Sequence, residues 1–267
     1  MTGFPAWHLL PEIRSCIMTQ KTDKSKTKKL KHVKVYDQLY DLIRNGTYQP
    51  GEQLPPETAL ASSMKVSRMT LRKALTLLQE DGLIKNVPGV GHFIRSNRPE
   101  SPNTTVIPAP NRTVSSTHPI YSYCTEPLDR VELEFRIEPP TESILDTLGQ
   151  YSAAIVITDR WYHHDTKATA YSLSFIPIEV IAKLQIDLND KTALQHFLEH
   201  TCYEAPYHCY RSCSYSTAGN FTAKNYQLST HDSFLLVLEN IYTDQNELLM
   251  SSKHYIPAEL FRIELHI

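Results

Sequence analysis

Arg68, Thr70, Arg72 and Lys73 crowd into one short stretch of the chain. Their chemistry is that of nucleic-acid contact. A guanidinium fork matches the O6 and N7 acceptors of guanine or two oxygens of a phosphate. A threonine hydroxyl and a lysine ammonium suit the sugar-phosphate backbone. Ser67 directly precedes them, and serine is a favoured helix N-cap. The free N–H groups it leaves at a helix start also favour phosphate. A solvated basic face would show the same residue types, so the surrounding pattern has to decide.

Other groupings offer less. His196 and His200 stand four apart, the spacing of a two-histidine ligand face, with Cys202, His208 and Cys209 as conjectural third ligands. No H-E-x-x-H motif accompanies them, and short motifs match often by chance, so no metal site is expected. His163-His164-Asp165 falls in a polar turn. Neither a nucleophile–base pair nor a carboxylate dyad stands out, so neither enzymatic turnover nor a cofactor is expected. Five cysteines without a C-x-x-C pair argue against a disulfide framework and for a reducing, cytoplasmic setting. No apolar run is long enough for a membrane span.

The elements that position the basic cluster are legible around it. Val35, Leu39, Leu42 and Ile43 share one helical face, and Asn45-Gly46 ends that helix. A second helix starts at Pro56-Glu57 and ends near Met64. The turn Lys65-Val66 leads to the third, Arg68 to Asp81, whose buried face is Leu71, Ala74, Leu75 and Leu78. Gly82 closes it. Leu83–Asn86 and His92–Ile94 then read as strands around Pro88-Gly89-Val90-Gly91. Two helices, a turn, a third helix and a hairpin form the order of a winged helix-turn-helix.

Charge divides the chain in the same place. Residues 19–98 hold 15 Lys+Arg against 7 Asp+Glu, whereas residues 99–267 hold 11 against 21. A basic module joined to an acidic one fits a DNA-binding part fused to a part that does not bind DNA. Residues 1–32 read as a disordered basic arm, and Met18 is an alternative to Met1 as the start. The DNA-binding domain spans 33–96, a Pro/Asn/Ser/Thr-rich linker 97–119, and a second domain 120–267. In that second domain strands are expected at Arg130–Ile137, Ala154–Tyr162, Ala168–Ile176, Cys209–Ser216, Phe234–Thr243 and Leu248–Ile256. Helices are expected at Thr141–Leu148 and Thr192–Thr201.

The first domain resembles the GntR family of bacterial regulators. The resemblance rests on Tyr48-Gln49-Pro50-Gly51-Glu52-Gln53-Leu54-Pro55-Pro56-Glu57, on Val66-Ser67-Arg68-Met69-Thr70-Leu71-Arg72-Lys73-Ala74-Leu75, on the run from Leu78 to Leu83, and on Gly89-Val90-Gly91-His92-Phe93-Ile94. It implies that Arg68, Thr70 and Arg72 contact DNA, and that Gly89 and Gly91 let the wing tip enter the minor groove; Lys73, Thr58 and His92 are the further DNA contacts expected. Thr58 stands where the family usually carries a DNA-contacting arginine. Pro88 and Val90 replace polar and basic wing residues.

The second domain resembles the UTRA effector-binding domain of the HutC subfamily, through Phe135-Arg136-Ile137-Glu138-Pro139-Pro140, Thr158-Asp159-Arg160-Trp161-Tyr162, Ser172-Leu173-Ser174-Phe175-Ile176-Pro177 and the stretch from Asn246 to Tyr255. That resemblance implies an α+β protein, with a winged helix-turn-helix before a chorismate-lyase-like domain built on a six-stranded antiparallel sheet. It also implies a homodimer, an inverted-repeat DNA partner, and a small anionic effector such as a phosphorylated sugar. Arg160 matches an arginine that holds the anion, Tyr162 replaces a second arginine, Ser172 and Leu249 stand where glutamates read sugar hydroxyls, and Tyr255 matches a family tyrosine. Ser174 completes the expected pocket. A DNA binder of purely architectural role, with no pocket, is the remaining alternative.

Overall fold

The computed structural model describes residues 30–95, 117–204 and 206–264. The expected basic arm up to residue 29, the choice between Met1 and Met18, and the linker as far as residue 116 lie outside the described residues.

Three helices form the head. Helix α1 (Lys31–Arg44) begins two residues earlier than expected and buries Val35, Leu39 and Tyr40. Helix α2 (Glu57–Ser63) contributes Leu60 and Ala61. Lys65 takes a left-handed turn at φ 54° and aims the chain into α3 (Arg68–Glu80). Leu71, Ala74, Leu75 and Leu78 of α3 are buried. These apolar stripes meet in one small core that also takes in Leu54, Leu83, Ile84 and Ile94. The wing is the antiparallel pair β1 (Ile84–Val87) and β2 (Gly91–Ile94), and Gln53 adds a bridge to Phe93.

The second part is a six-stranded antiparallel sheet in the order β3-β4-β5-β8-β7-β6. Its strands are β3 (Arg130–Glu138), β4 (Ile155–His164), β5 (Lys167–Pro177), β6 (His208–Ser216), β7 (Phe234–Tyr242) and β8 (Leu248–Pro257). Each expected strand is present, within two residues at either end. Strand β4 runs on through His163 and His164, which sequence reasoning had placed in the turn; the turn itself carries Asp165 at φ 51°.

Side chains alternate between the two faces of a strand, and each face has its own cover. One face packs against α4 (Pro119–Tyr123), α6 (Ile178–Lys183) and α7 (Lys191–Glu199) through Ile120, Ile181, Leu194 and Leu198. The other packs against α5 (Glu142–Leu148) through Ile144 and Leu148. It also packs on α8 (Gly219–Thr222) and the segment after it through Phe221, Ala223 and Leu228. Leu77 of the head packs against this second face. Sequence reasoning missed α4, α6 and α8, all too short to show a helical period. The fold is α+β, a winged helix-turn-helix joined to an antiparallel sheet.

Candidate functional site

The exposed edge of α3 is built from its N-terminus. Ser67 caps the helix: its Oγ accepts from Thr70 N at 3.1 Å and lies 2.8 Å from Thr70 Oγ1. Arg68 and Arg72 are exposed beside them. Met69 is 63% exposed on the same turn, an apolar side chain suited to a thymine methyl group, and sequence reasoning passed it over. Thr58 is exposed on α2.

A carboxylate ties this edge to the wing. Glu57 Oε2 accepts from Arg72 Nε at 2.6 Å, and Glu57 Oε1 lies 3.5 Å from His92 Nε2. Desolvation acts to raise the Glu57 pKa, but its contacts with Arg72 and His92 outweigh this and lower it. Gln53 Nε2 donates to Val90 O at 2.8 Å, fixing the wing tip. A Cβ on Gly91, at φ 135°, would stand 3.0 Å from that same Gln53 nitrogen. Gly89 adopts φ 76° with open space around it. Lys73 stands apart from these residues: its Nζ sits 5.1 Å from the centre of the Phe221 ring, in the second domain.

Of the five residues expected to hold an effector, the structure brings four into one buried polar cluster. Arg160 is fully buried, and its Nη1 donates to Glu199 Oε1 at 2.6 Å and to Leu198 O at 3.1 Å. Nη2 donates to Ser174 Oγ at 2.8 Å, and Nε has no hydrogen-bond partner among the described residues. The Tyr162 hydroxyl donates to Glu199 Oε1 at 2.9 Å. Ser172 Oγ lies 2.7 Å from His254 Nδ1, and His254 Nε2 lies 3.2 Å from Glu239 Oε2. Tyr255 is the exception. It follows His254 on β8, so it points to the opposite face, where its hydroxyl donates to Glu80 Oε2 of α3 at 3.1 Å.

Sequence reasoning missed His118, Glu199, Glu239 and Arg211, because strands and helices far apart in the chain bring them together. His118 Nε2 is 3.3 Å from Arg160 Nη1 and 3.0 Å from the Tyr162 hydroxyl. Arg211 pairs with Glu239 and also donates to the backbone carbonyl of Thr117. Burial acts against the Arg160 charge, but Tyr162 and Glu199 more than restore it. Burial, then the charges of His254 and Arg160, hold His118 well below the usual histidine range. Glu239 is pushed up by burial, but the hydrogen bond from His254 and the Arg211 charge bring it down to about 2.

The histidine pair weighed as a metal site lies ring to ring at 5.3 Å, with His196 Nδ1 3.1 Å from Thr201 Oγ1 and the Cys202 thiol on the Leu198 carbonyl. Among the described residues, the grouping that could hold a cation is Asp129, His164 and Asp165, at the surface.

Residues 31–94 match the model of the bacterial regulatory proteins of the gntR family. A probable fructoselysine utilization operon transcriptional repressor of Escherichia coli (strain K12) is 39% identical over 77 residues, 29% of this chain and 32% of that protein. The match thus spans about a third of that relative's length. An uncharacterized HTH-type transcriptional regulator, YdhC, of Bacillus subtilis (strain 168) is 29% identical over 170 residues, 63% of this chain and 65% of that protein. The C-terminal domain of a histidine utilization repressor from Pseudomonas syringae pv. tomato superposes with a TM-score of 0.43 at 12% identity, covering 52% of this chain and 99% of that one. Residues 31–94 are thus a helix-turn-helix domain of the gntR type found in bacterial regulatory proteins.

Proposed function

We propose that this protein is a sequence-specific transcriptional regulator, acting as a repressor in the cytoplasm, whose DNA binding is set by a small anionic effector. The observation that carries the reading is the α3 edge: Arg68 and Arg72 exposed behind the Ser67 cap, with Arg72 cross-braced through Glu57 to the wing residue His92. A recognition helix needs that arrangement, because base-reading side chains must hold one orientation relative to a wing set in the adjacent groove. Two subunits place their α3 helices in successive major grooves of an inverted repeat, so the protein works as a homodimer. The proposed reading head is residues 33–96 and the proposed effector domain 120–267, but the linker expected at 97–119 ends earlier, because His118 and Pro119 are already packed into the second domain. Arg68, Thr70, Arg72, Thr58, Gly89, Gly91 and His92 are the proposed DNA contacts.

The buried cluster of Arg160, Tyr162, Ser172 and Ser174 is the proposed effector site. Its guanidinium is already paired with Glu199, so an incoming anion, such as a sugar phosphate, takes the place of that carboxylate. The relatives support a repressor: one is named for a fructoselysine operon, another for mannosyl-D-glycerate transport and metabolism. Selection of binding sites from a random duplex library tests the reading. The expected yield is a pair of inverted half-sites about one helical turn apart, centre to centre. Recovery of DNA without any shared motif contradicts it.

A further inference from the structure

An apolar side chain stands in the open on the edge that the proposed function gives to DNA. Helix α3 exposes Arg68, Met69, Arg72 and Gln79. The two arginines and the glutamine gain from water. Met69, 63% exposed, does not. The helix itself does not call for it, since lysine, glutamine or glutamate propagates a helix about as well. A single exposed apolar side chain is ordinary on a protein surface, so its position has to decide what it does.

The buried stripe of α3 is Leu71, Ala74, Leu75 and Leu78. At about 100° per residue, Met69 falls roughly 170° around the helix from the middle of that stripe, so it points away from the core of the head. It lies in the first turn, the end of a recognition helix that reaches base edges. Arg68 precedes it, and Arg72 follows on the next turn. Arg72 gives its Nε to Glu57 at 2.6 Å, which leaves the Nη1–Nη2 end of the guanidinium for a guanine. The Thr70 hydroxyl is engaged at the cap, 2.8 Å from Ser67 Oγ. Met69 and Arg72 are about 4.5 Å apart along the helix axis, and successive base pairs about 3.4 Å apart along DNA. The two side chains therefore reach base pairs that adjoin or nearly adjoin.

Among the base edges of the major groove, the apolar feature is the C5-methyl group of thymine. A methionine suits it, being unbranched, flexible and polarisable. We propose that Met69 is a specificity-determining residue that reads a thymine methyl group, in a base pair within about two of the one that Arg72 meets. The inference rests on α3 being the DNA-reading helix, and it adds a base to what that helix selects. The contact takes the methyl group and the end of the Met69 side chain out of water together. It involves no phosphate, so it sets sequence preference and leaves nonspecific attraction alone.

Deleting that methyl group from the DNA tests the role. A site recovered by selection is synthesised with each thymine of one half-site changed in turn to deoxyuridine, which keeps the hydrogen bonds of the base pair and loses the methyl group. Full-length wild type and Met69→Ala are titrated by fluorescence anisotropy on each of these duplexes, on the unmodified site and on a mixed-sequence duplex. Alanine is the best helix former and the position is exposed, so the variant keeps the fold, which its melting temperature checks. One deoxyuridine is expected to weaken wild-type binding about four-fold, the worth of one buried methyl group, and to leave Met69→Ala unchanged. A selected half-site without thymine, no loss at any deoxyuridine, or the same loss for both proteins overturns the role of Met69 and leaves the reading of α3 intact. Wild-type binding to the selected site no tighter than to the mixed duplex overturns both.

Discussion

At the scale of single residues, the pairing of Arg160 with Glu199 governs how the buried cluster can be probed. Both side chains are within 2% of full burial, so removing one leaves the other charged and unsolvated. Breaking a buried ion pair in this way costs about 3–5 kcal/mol, while replacing both partners by apolar residues of similar size is often near neutral. Arg160→Ala is therefore expected to lower the unfolding free energy by that amount, and the pair Arg160→Met with Glu199→Leu by less than about 1.5 kcal/mol. Urea unfolding of both variants checks this. Equal losses would mean that the two groups do not compensate each other. The Arg160→Met, Glu199→Leu double variant is then the proper one for asking whether an effector response disappears. Glu57 plays a different part, holding Arg72 and His92 from a partly open position. Glu57→Gln is expected to weaken binding to a selected site by about five-fold, with the slope of affinity against salt unchanged because no phosphate contact is lost. A changed slope would place Glu57 outside that brace.

At the scale of elements, helix α3 owes its start to a single hydroxyl. Ser67→Ala removes the acceptor for Thr70 N and frees the Thr70 side chain, at a cost of about 1 kcal/mol. Thermal unfolding of the variant reads that loss, and an unchanged melting temperature would show that the cap contributes nothing. The elements were legible where a period could repeat. The stripe Leu71, Ala74, Leu75 and Leu78 announced α3, and it is buried as a stripe. The sheet strands are bounded by polar turn residues such as Asn246, which takes φ 61°. The short helices α4 and α8 carry no such repeat. The buried cluster was half legible. Arg160, Tyr162, Ser172 and Ser174 lie on neighbouring strands with the alternation that puts them on one face. His118 and Glu199 join them only through the packing of helices onto that face, which no local pattern encodes. Tyr255 could be placed on the wrong face because one residue of register reverses the side of the sheet.

At the scale of the whole molecule, the buried histidines make stability depend on pH. His118 and His254 are both lowered from 6.5, in each case first by burial. Arg160 and Arg211 add to the effect at both, and Glu239 opposes it at His254. As pH falls below about 6.5 the unfolded chain takes up protons that the folded chain resists, so stability present above that value is lost. Each histidine contributes up to about 1.4 kcal/mol per pH unit. Glu239, lowered from 4.5 to about 2, adds a second loss in that more acidic window. Urea midpoints are expected to be lower at pH 5.5 than at pH 7.5, and equal midpoints would contradict neutral burial of the two rings. The proposed function makes a sharper demand: one edge of α3 must read bases while the rest of the chain only positions it. The most direct measurement compares wild type and Arg72→Ala on a site recovered by selection and on a mixed-sequence duplex of equal length. Loss of a bidentate base contact predicts roughly 10- to 100-fold weaker binding to the selected site, with affinity for the mixed duplex changed far less. Equal affinity of the two proteins for the selected site would contradict the account.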